Sequence, residues 1–125
     1  MRSIIIVFIG SGLGGALRHL VGLASLRLMG PNFPYGTMAV NILGATLMGC
    51  LAGLFAFRVS GHADLRLLLT TGVLGGFTTW STFSLDTVTL WQRGQPVMAF
   101  AYVAISLVAS LAALAATLVV MRRLG

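Results

Sequence analysis

Four apolar segments, at about residues 4–29, 37–57, 67–91 and 96–121, take up nearly the whole sequence, and only short charged or turn-rich stretches separate them. Each is close to the roughly 20 residues needed to cross a hydrocarbon core. Charged residues make up 8% of the chain and hydrophobic ones 58%, whereas soluble chains average about 25% charged. The pattern implies an all-α membrane protein, one four-helix transmembrane domain over residues 1–125, held in a lipid bilayer with nothing left over for a soluble domain. The lone Cys50 allows no disulfide framework and reads as a small buried hydrophobe.

The third segment is the irregular one. It contains Gly72-Val73-Leu74-Gly75-Gly76-Phe77-Thr78-Thr79-Trp80-Ser81-Thr82-Phe83-Ser84. Each glycine weakens a helix by about 1 kcal/mol relative to alanine, and the hydroxyls behind them compete for backbone groups. The third helix is therefore expected to break in mid-membrane, near Gly75 to Thr78. In lipid such a break is tolerated only where the freed carbonyls and amides face protein, a water-filled cavity or an ion. Gly72-xxx-Gly76 is also a helix-packing pattern, so the stretch is either a tight seam or a site. The density of hydroxyls favours a site, because packing needs small residues but not so many donors. Trp80 and Phe83, at i and i+3, share one helix face.

Other polar residues inside the apolar segments each carry two readings. Arg18 lies too deep for a surface residue but within snorkelling reach of the far side, so it is either an anchor or part of a positive vestibule that collects anions. His19 has no second His, Cys or acid at metal spacing and reads as interfacial. Asn41 is the one amide within the four segments; its two N–H donors serve a neighbouring helix or a ligand. Asp86 is a functional candidate as an acid in a membrane segment, although its place shortly before Arg93 suits a helix end. Tyr102, Ser106 and Ser110, at i, i+4 and i+8, form a ladder of hydroxyls on one face of the fourth segment. Such a ladder suits an anion passing between donors, or serines bonding back to their own helix.

All the basic residues are arginines, and they bear on membrane orientation rather than on nucleic acid. With four crossings, Arg2, Arg58, Arg66, Arg122 and Arg123 share one side, and Arg27 and Arg93 the other. The bias is modest and leaves insertion in both orientations open. Four helices of this length hardly enclose a watery path alone, and their glycine-rich faces need partners, so at least a homodimer is expected.

Gly15-Ala16-Leu17-Arg18, Gly36-Thr37 with Val40-Asn41, and above all Gly75-Gly76-Phe77-Thr78-Thr79-Trp80-Ser81-Thr82-Phe83-Ser84 make the chain resemble the Fluc (CrcB) family of fluoride channels along its whole length. The resemblance implies an antiparallel, dual-topology homodimer in the plasma (inner) membrane, with two fluoride pores along its interface, exporting fluoride passively to lower its toxicity. It implies a structural Na+ ion at the interface, bound by the backbone carbonyls of Gly75 and Thr78. It places Asn41, Trp80, Phe83, Ser81, Thr82, Tyr102, Ser106 and Ser110 along the fluoride pathway and Arg18 at a vestibule. The chain departs from the family pattern at Trp80, where phenylalanine is usual, and at His19, where a larger aromatic is common.

Two other classes compete with a channel. A proton-coupled drug exporter needs a membrane carboxylate, for which Asp86 is the sole candidate. A structural membrane subunit would leave the hydroxyl ladder and the irregular third segment without a purpose. An enzyme is not expected, since the sequence offers no paired carboxylates, no nucleophile with a base and no metal cluster.

Overall fold

Residues 1–124 are described in the computed structural model, and among them there are helices and short connections but no strand. The order is α1 (Arg2–Met29), α2 (Tyr35–Phe57), α3 (Ala63–Leu67), a π-helical stretch (Leu68–Leu74), α4 (Gly75–Phe77), α5 (Trp80–Gln92) and α6 (Pro96–Leu124). Three of these, α1, α2 and α6, are long and apolar enough to cross a membrane. At 1.5 Å per residue α1 spans about 42 Å, more than the roughly 30 Å of a hydrocarbon core. Large apolar side chains face outward, Phe8 at 79% and Phe100 at 76% exposure among them, as suits a protein whose solvent is lipid.

Helix ends follow local chemistry. Gly30 at φ 77° terminates α1, a left-handed conformation that glycine adopts without steric cost, and its N–H bonds to the Leu26 carbonyl at 3.1 Å. Pro34 caps α2, so that helix opens at Tyr35, two residues before Thr37. The third helical path begins at Ala63, where Asp64 in the first turn suits the positive helix end. The last helix runs past Met121 to Leu124, with Arg122 and Arg123 beside its negative end.

Glycines set the packing. A Cβ placed on Gly10 would lie 2.8 Å from Gly72 Cα and from the Leu68 carbonyl oxygen, and one on Gly14 would lie 2.8 Å from the Phe77 nitrogen. A Cβ on Gly76 would come within 2.8 Å of Ser11 Cα. The backbones of α1 and of the chain from Leu68 to Phe77 thus touch directly. Gly72 and Gly76 belong to this seam, and Gly75 keeps helical angles (φ −61°, ψ −38°). The change of direction comes later: Thr78 (φ −86°, ψ 159°) and Thr79 (φ −151°, ψ 125°) are extended. Likewise α2 lies along α6, with Gly49 and Gly53 against Leu114, Thr117 and Met121. Phe83, Leu90, Ala99 and Tyr102 form a buried cluster joining α5 to α6, with Phe33, Met38 and Val103 packed on it.

Candidate functional site

The extended link Thr78–Thr79 is held by one side chain from another helix. Asn41 of α2 accepts from the Thr79 N–H at 2.8 Å through Oδ1 and donates from Nδ2 to the Thr79 carbonyl at 3.0 Å. Both peptide groups of Thr79 are thereby satisfied without a helix, and Asn41 keeps a second N–H to give. Thr79 also caps α5, its hydroxyl accepting from the Thr82 N–H at 3.2 Å. These bonds take the donors that a continuous helix would have sent elsewhere. The Gly75 carbonyl loses the N–H of Thr79 to Asn41, and the Thr78 carbonyl loses that of Thr82 to the Thr79 hydroxyl. The Gly76 carbonyl instead accepts from Arg18 Nε at 3.2 Å.

A groove of about 320 Å³ runs beside this link, and Asn41, Thr78, Thr79, Trp80, Phe83, Ser106 and Ser110 line it together with apolar residues of α2 and α6. The serines are the informative members. Their Oγ atoms are buried and have no hydrogen-bond partner among the described residues, although Ser106 is only 4% exposed. Thr46, Thr78, Thr87 and Thr117 do bond back to the carbonyl four residues earlier, at 2.8–3.0 Å. Ser106 and Ser110 therefore hold unused donors against the groove, and an unpartnered buried hydroxyl costs about 1–3 kcal/mol. Trp80 and Phe83 are among its lining, ring centroids 5.2 Å apart and tilted by 44°. Among the described residues no acid lines the groove.

A second cavity, of about 490 Å³, also reaches the link at Thr79. Arg18, His19, Thr79, Thr82, Asp86 and Arg93 are among its polar lining residues. Arg18 and Asn41 are thus in separate spaces, and Thr79 borders both. Tyr102, expected beside Ser106 and Ser110, is fully buried and lines neither space. Its hydroxyl donates to Asp86 Oδ2 at 3.2 Å, while its ring lies 5.2 Å from Phe83 and meets Phe33 edge-on at 5.6 Å. Ser81 lines neither space and lies 3.4 Å from the Thr79 hydroxyl. Gly75 also lines neither, whereas Thr78 borders the groove.

A family model described as CrcB-like protein, Camphor Resistance (CrcB), matches residues 5–118. The chain belongs to the CrcB family. A relative from Agrobacterium fabrum, named Fluoride-specific ion channel FluC, is 50% identical over 99% of both chains. Proteins of the same name from Methylobacterium nodulans and Mesorhizobium japonicum are 51% identical over the full length and 46% identical over 91% of each chain. Within this CrcB chain, two residues matter more than their sequence context suggests. Thr79 is the hub of the link, and the N-cap preference of threonine was the available signal. Asp86 is partnered by Tyr102 rather than standing at a helix end; its partner lies 16 positions away, beyond the reach of local pattern.

Proposed function

We propose that the protein is a fluoride-selective ion channel of the plasma (inner) membrane, letting F− leave the cytoplasm down its gradient. The observation that carries this reading is the groove itself: buried hydroxyls without partners, no acid, and two aromatic rings in its wall. The names of the relatives agree with it. Fluoride is small and strongly hydrated, so a path across the membrane must replace water's hydrogen bonds. The free Asn41 N–H and the Ser106 and Ser110 hydroxyls can do so, and the edges of Trp80 and Phe83 carry partial positive charge. Neutral donors bind weakly enough for the ion to leave. Arg18 and Arg93 give the neighbouring cavity a positive wall that draws anions in. No covalent bond changes, so the protein is not an enzyme.

In this reading the chain from Ala63 to Gln92 makes the third of four crossings, interrupted in mid-membrane at Thr78–Thr79. Two subunits insert in opposite orientations and form an antiparallel homodimer with a pathway along each side of the interface. Support comes from the outer face of α5, where Trp80, Leu85, Val88 and Trp91 are 71%, 65%, 52% and 66% exposed in one subunit, and from the modest arginine bias. The carbonyls of Gly75 and Thr78, freed of their helix donors, fit a structural Na+ at that interface. Neutral oxygens suit a monovalent hard cation, whose charge would hold the two links together.

The test is fluoride efflux from liposomes holding the purified protein, read with a fluoride electrode beside an identical chloride experiment. Fast fluoride efflux without chloride efflux is expected. A folded protein that releases no fluoride would sink the reading.

A further inference from the structure

We propose that Arg18 is a positioning residue: its Nε–H holds the third crossing open at Thr78–Thr79, a duty separate from the charge it lends to the neighbouring cavity. The inference rests on the channel reading and deepens it. In a continuous helix the Gly76 carbonyl would accept from the N–H of Trp80, four residues on. It accepts instead from Arg18 Nε at 3.2 Å, in a half-buried contact. Asn41 meanwhile takes both peptide groups of Thr79, and the Thr79 hydroxyl takes the Thr82 N–H. Three side chains thus stand where helix bonds would have been, and Arg18 is the one that α1 supplies. A charge that only collected anions would need no bond to the backbone, yet here the donor nearest the aliphatic stem is spent on one.

The sequence of α1 aims Arg18 at this carbonyl. Gly10, Gly14 and Arg18 are four residues apart and share one face of the helix. The two glycines bring α1 into backbone contact with the third path, Gly10 at Gly72 and Gly14 at Val73 and Phe77. These contacts advance together along both segments, so the segments run parallel and Arg18 starts one turn beyond the Gly14 contact. A helical side chain leans toward the N-terminus of its own helix, which brings the guanidinium back to Gly76. Ser11, seven residues before Arg18 on that face, donates to the Gly72 carbonyl at 3.5 Å. Ser11 and Arg18 therefore serve two carbonyls four residues apart, and α1 acts as a splint along the stretch that leads into the break. Thr79 borders both the groove and the cavity, so a shift of the link moves a wall of each.

The experiment uses the full chain with Arg18 replaced by citrulline, which keeps the Nε–H and the planar shape without the charge, and separately by trimethyl-lysine, which keeps the charge without any N–H. Fluoride efflux from liposomes is read at low and at high fluoride concentration, and hydrogen exchange is followed by mass spectrometry over residues 75–84. Citrulline should keep the exchange pattern and the high-fluoride efflux of the parent and lose efflux only at low fluoride, where a positive wall concentrates anions. Trimethyl-lysine should speed exchange across the link and cut efflux by about tenfold or more at both concentrations, the rate equivalent of an unpaired carbonyl. Arg18→Met, which lacks charge and donor alike, should combine the two losses. Parent-like exchange or full high-fluoride efflux with trimethyl-lysine would show that charge alone matters and overturn this inference, leaving the channel reading intact. Equal losses with citrulline and trimethyl-lysine would also overturn it, since citrulline must rescue whatever the Nε–H supplies. A parent that conducts no fluoride would remove the channel reading, and exchange in the two variants would still decide whether Arg18 holds the link.

Discussion

Replacing Asn41 by aspartate separates two duties that one side chain performs. The Asn41→Asp carboxylate can still accept from the Thr79 N–H, now 2.8 Å away, but it sets an oxygen against the Thr79 carbonyl where Nδ2 donates at 3.0 Å. Leaving that carbonyl unpaired costs about 1–3 kcal/mol. Asn41→Ala strips both peptide groups of their partner, about 2–6 kcal/mol by the same measure. By lost hydrogen bonds, alanine is therefore the worse change. For an anion in the groove the order reverses. A carboxylate about 4 Å from fluoride repels it by about 4 kcal/mol at an effective dielectric of about 20. That is about a thousandfold in rate. The assay pairs fluoride efflux from liposomes, at alkaline pH so that the carboxyl is ionised, with thermal midpoints in detergent. The expected result is a crossing: Asn41→Ala melts lower, and Asn41→Asp conducts less. Flux through Asn41→Asp at the parent rate would place Asn41 outside the pathway and reduce it to a clamp on Thr79.

Phe83→Ile should slow fluoride efflux severely while elution by size is unchanged, because Phe83 is 6% exposed and its ring sits 5.2 Å from both Trp80 and Tyr102; intact flux would remove the ring edges from the path. Gly14→Ala should lower the melting point by an amount equivalent to about 1–3 kcal/mol, since its new methyl group would meet backbone of Val73 and Phe77. Gly12→Ala, with nothing within 4 Å, should hold or raise the melting point, since alanine is favoured over glycine in a helix by about 1 kcal/mol; equal losses in the two variants would refute the seam. Exchange of sodium for a bulky organic cation should lower the melting point and the dimer fraction, and an unchanged protein would count against a cation on the Gly75 and Thr78 carbonyls. Asp64→Asn breaks the exposed pair with Arg2 and should shift stability by less than about 1 kcal/mol, a small change that a calorimetric scan can read.

The apolar, all-helical character of the chain was legible because its long runs of small and branched residues are punctuated by glycine and proline, as at Gly30 and Pro34. The exact point where the backbone leaves the helix was harder to read. Glycine lowers the cost of breaking a helix, but it also lets two backbones touch, and at Gly72 and Gly76 the contact with Gly10 and Ser11 prevails. What turns the chain at Thr78 and Thr79 is a substitute for helix hydrogen bonds, supplied by Asn41 from 38 positions away. Local propensity contains no term for a partner so distant, so the hydroxyl block could be recognised as unusual without its anchor being identified. The same limit holds for Arg18, whose Nε reaches the Gly76 carbonyl across 58 positions while its cavity also holds Asp86. Ser106 and Ser110 follow a different logic. Their four-residue spacing puts them on one face from sequence alone, but only the absence of back-bonds to α6 distinguishes donors held for a ligand from donors already used. Unsatisfied buried donors in a membrane protein are costly, and in the channel reading Ser106 and Ser110 recover that cost from the anion that enters their groove.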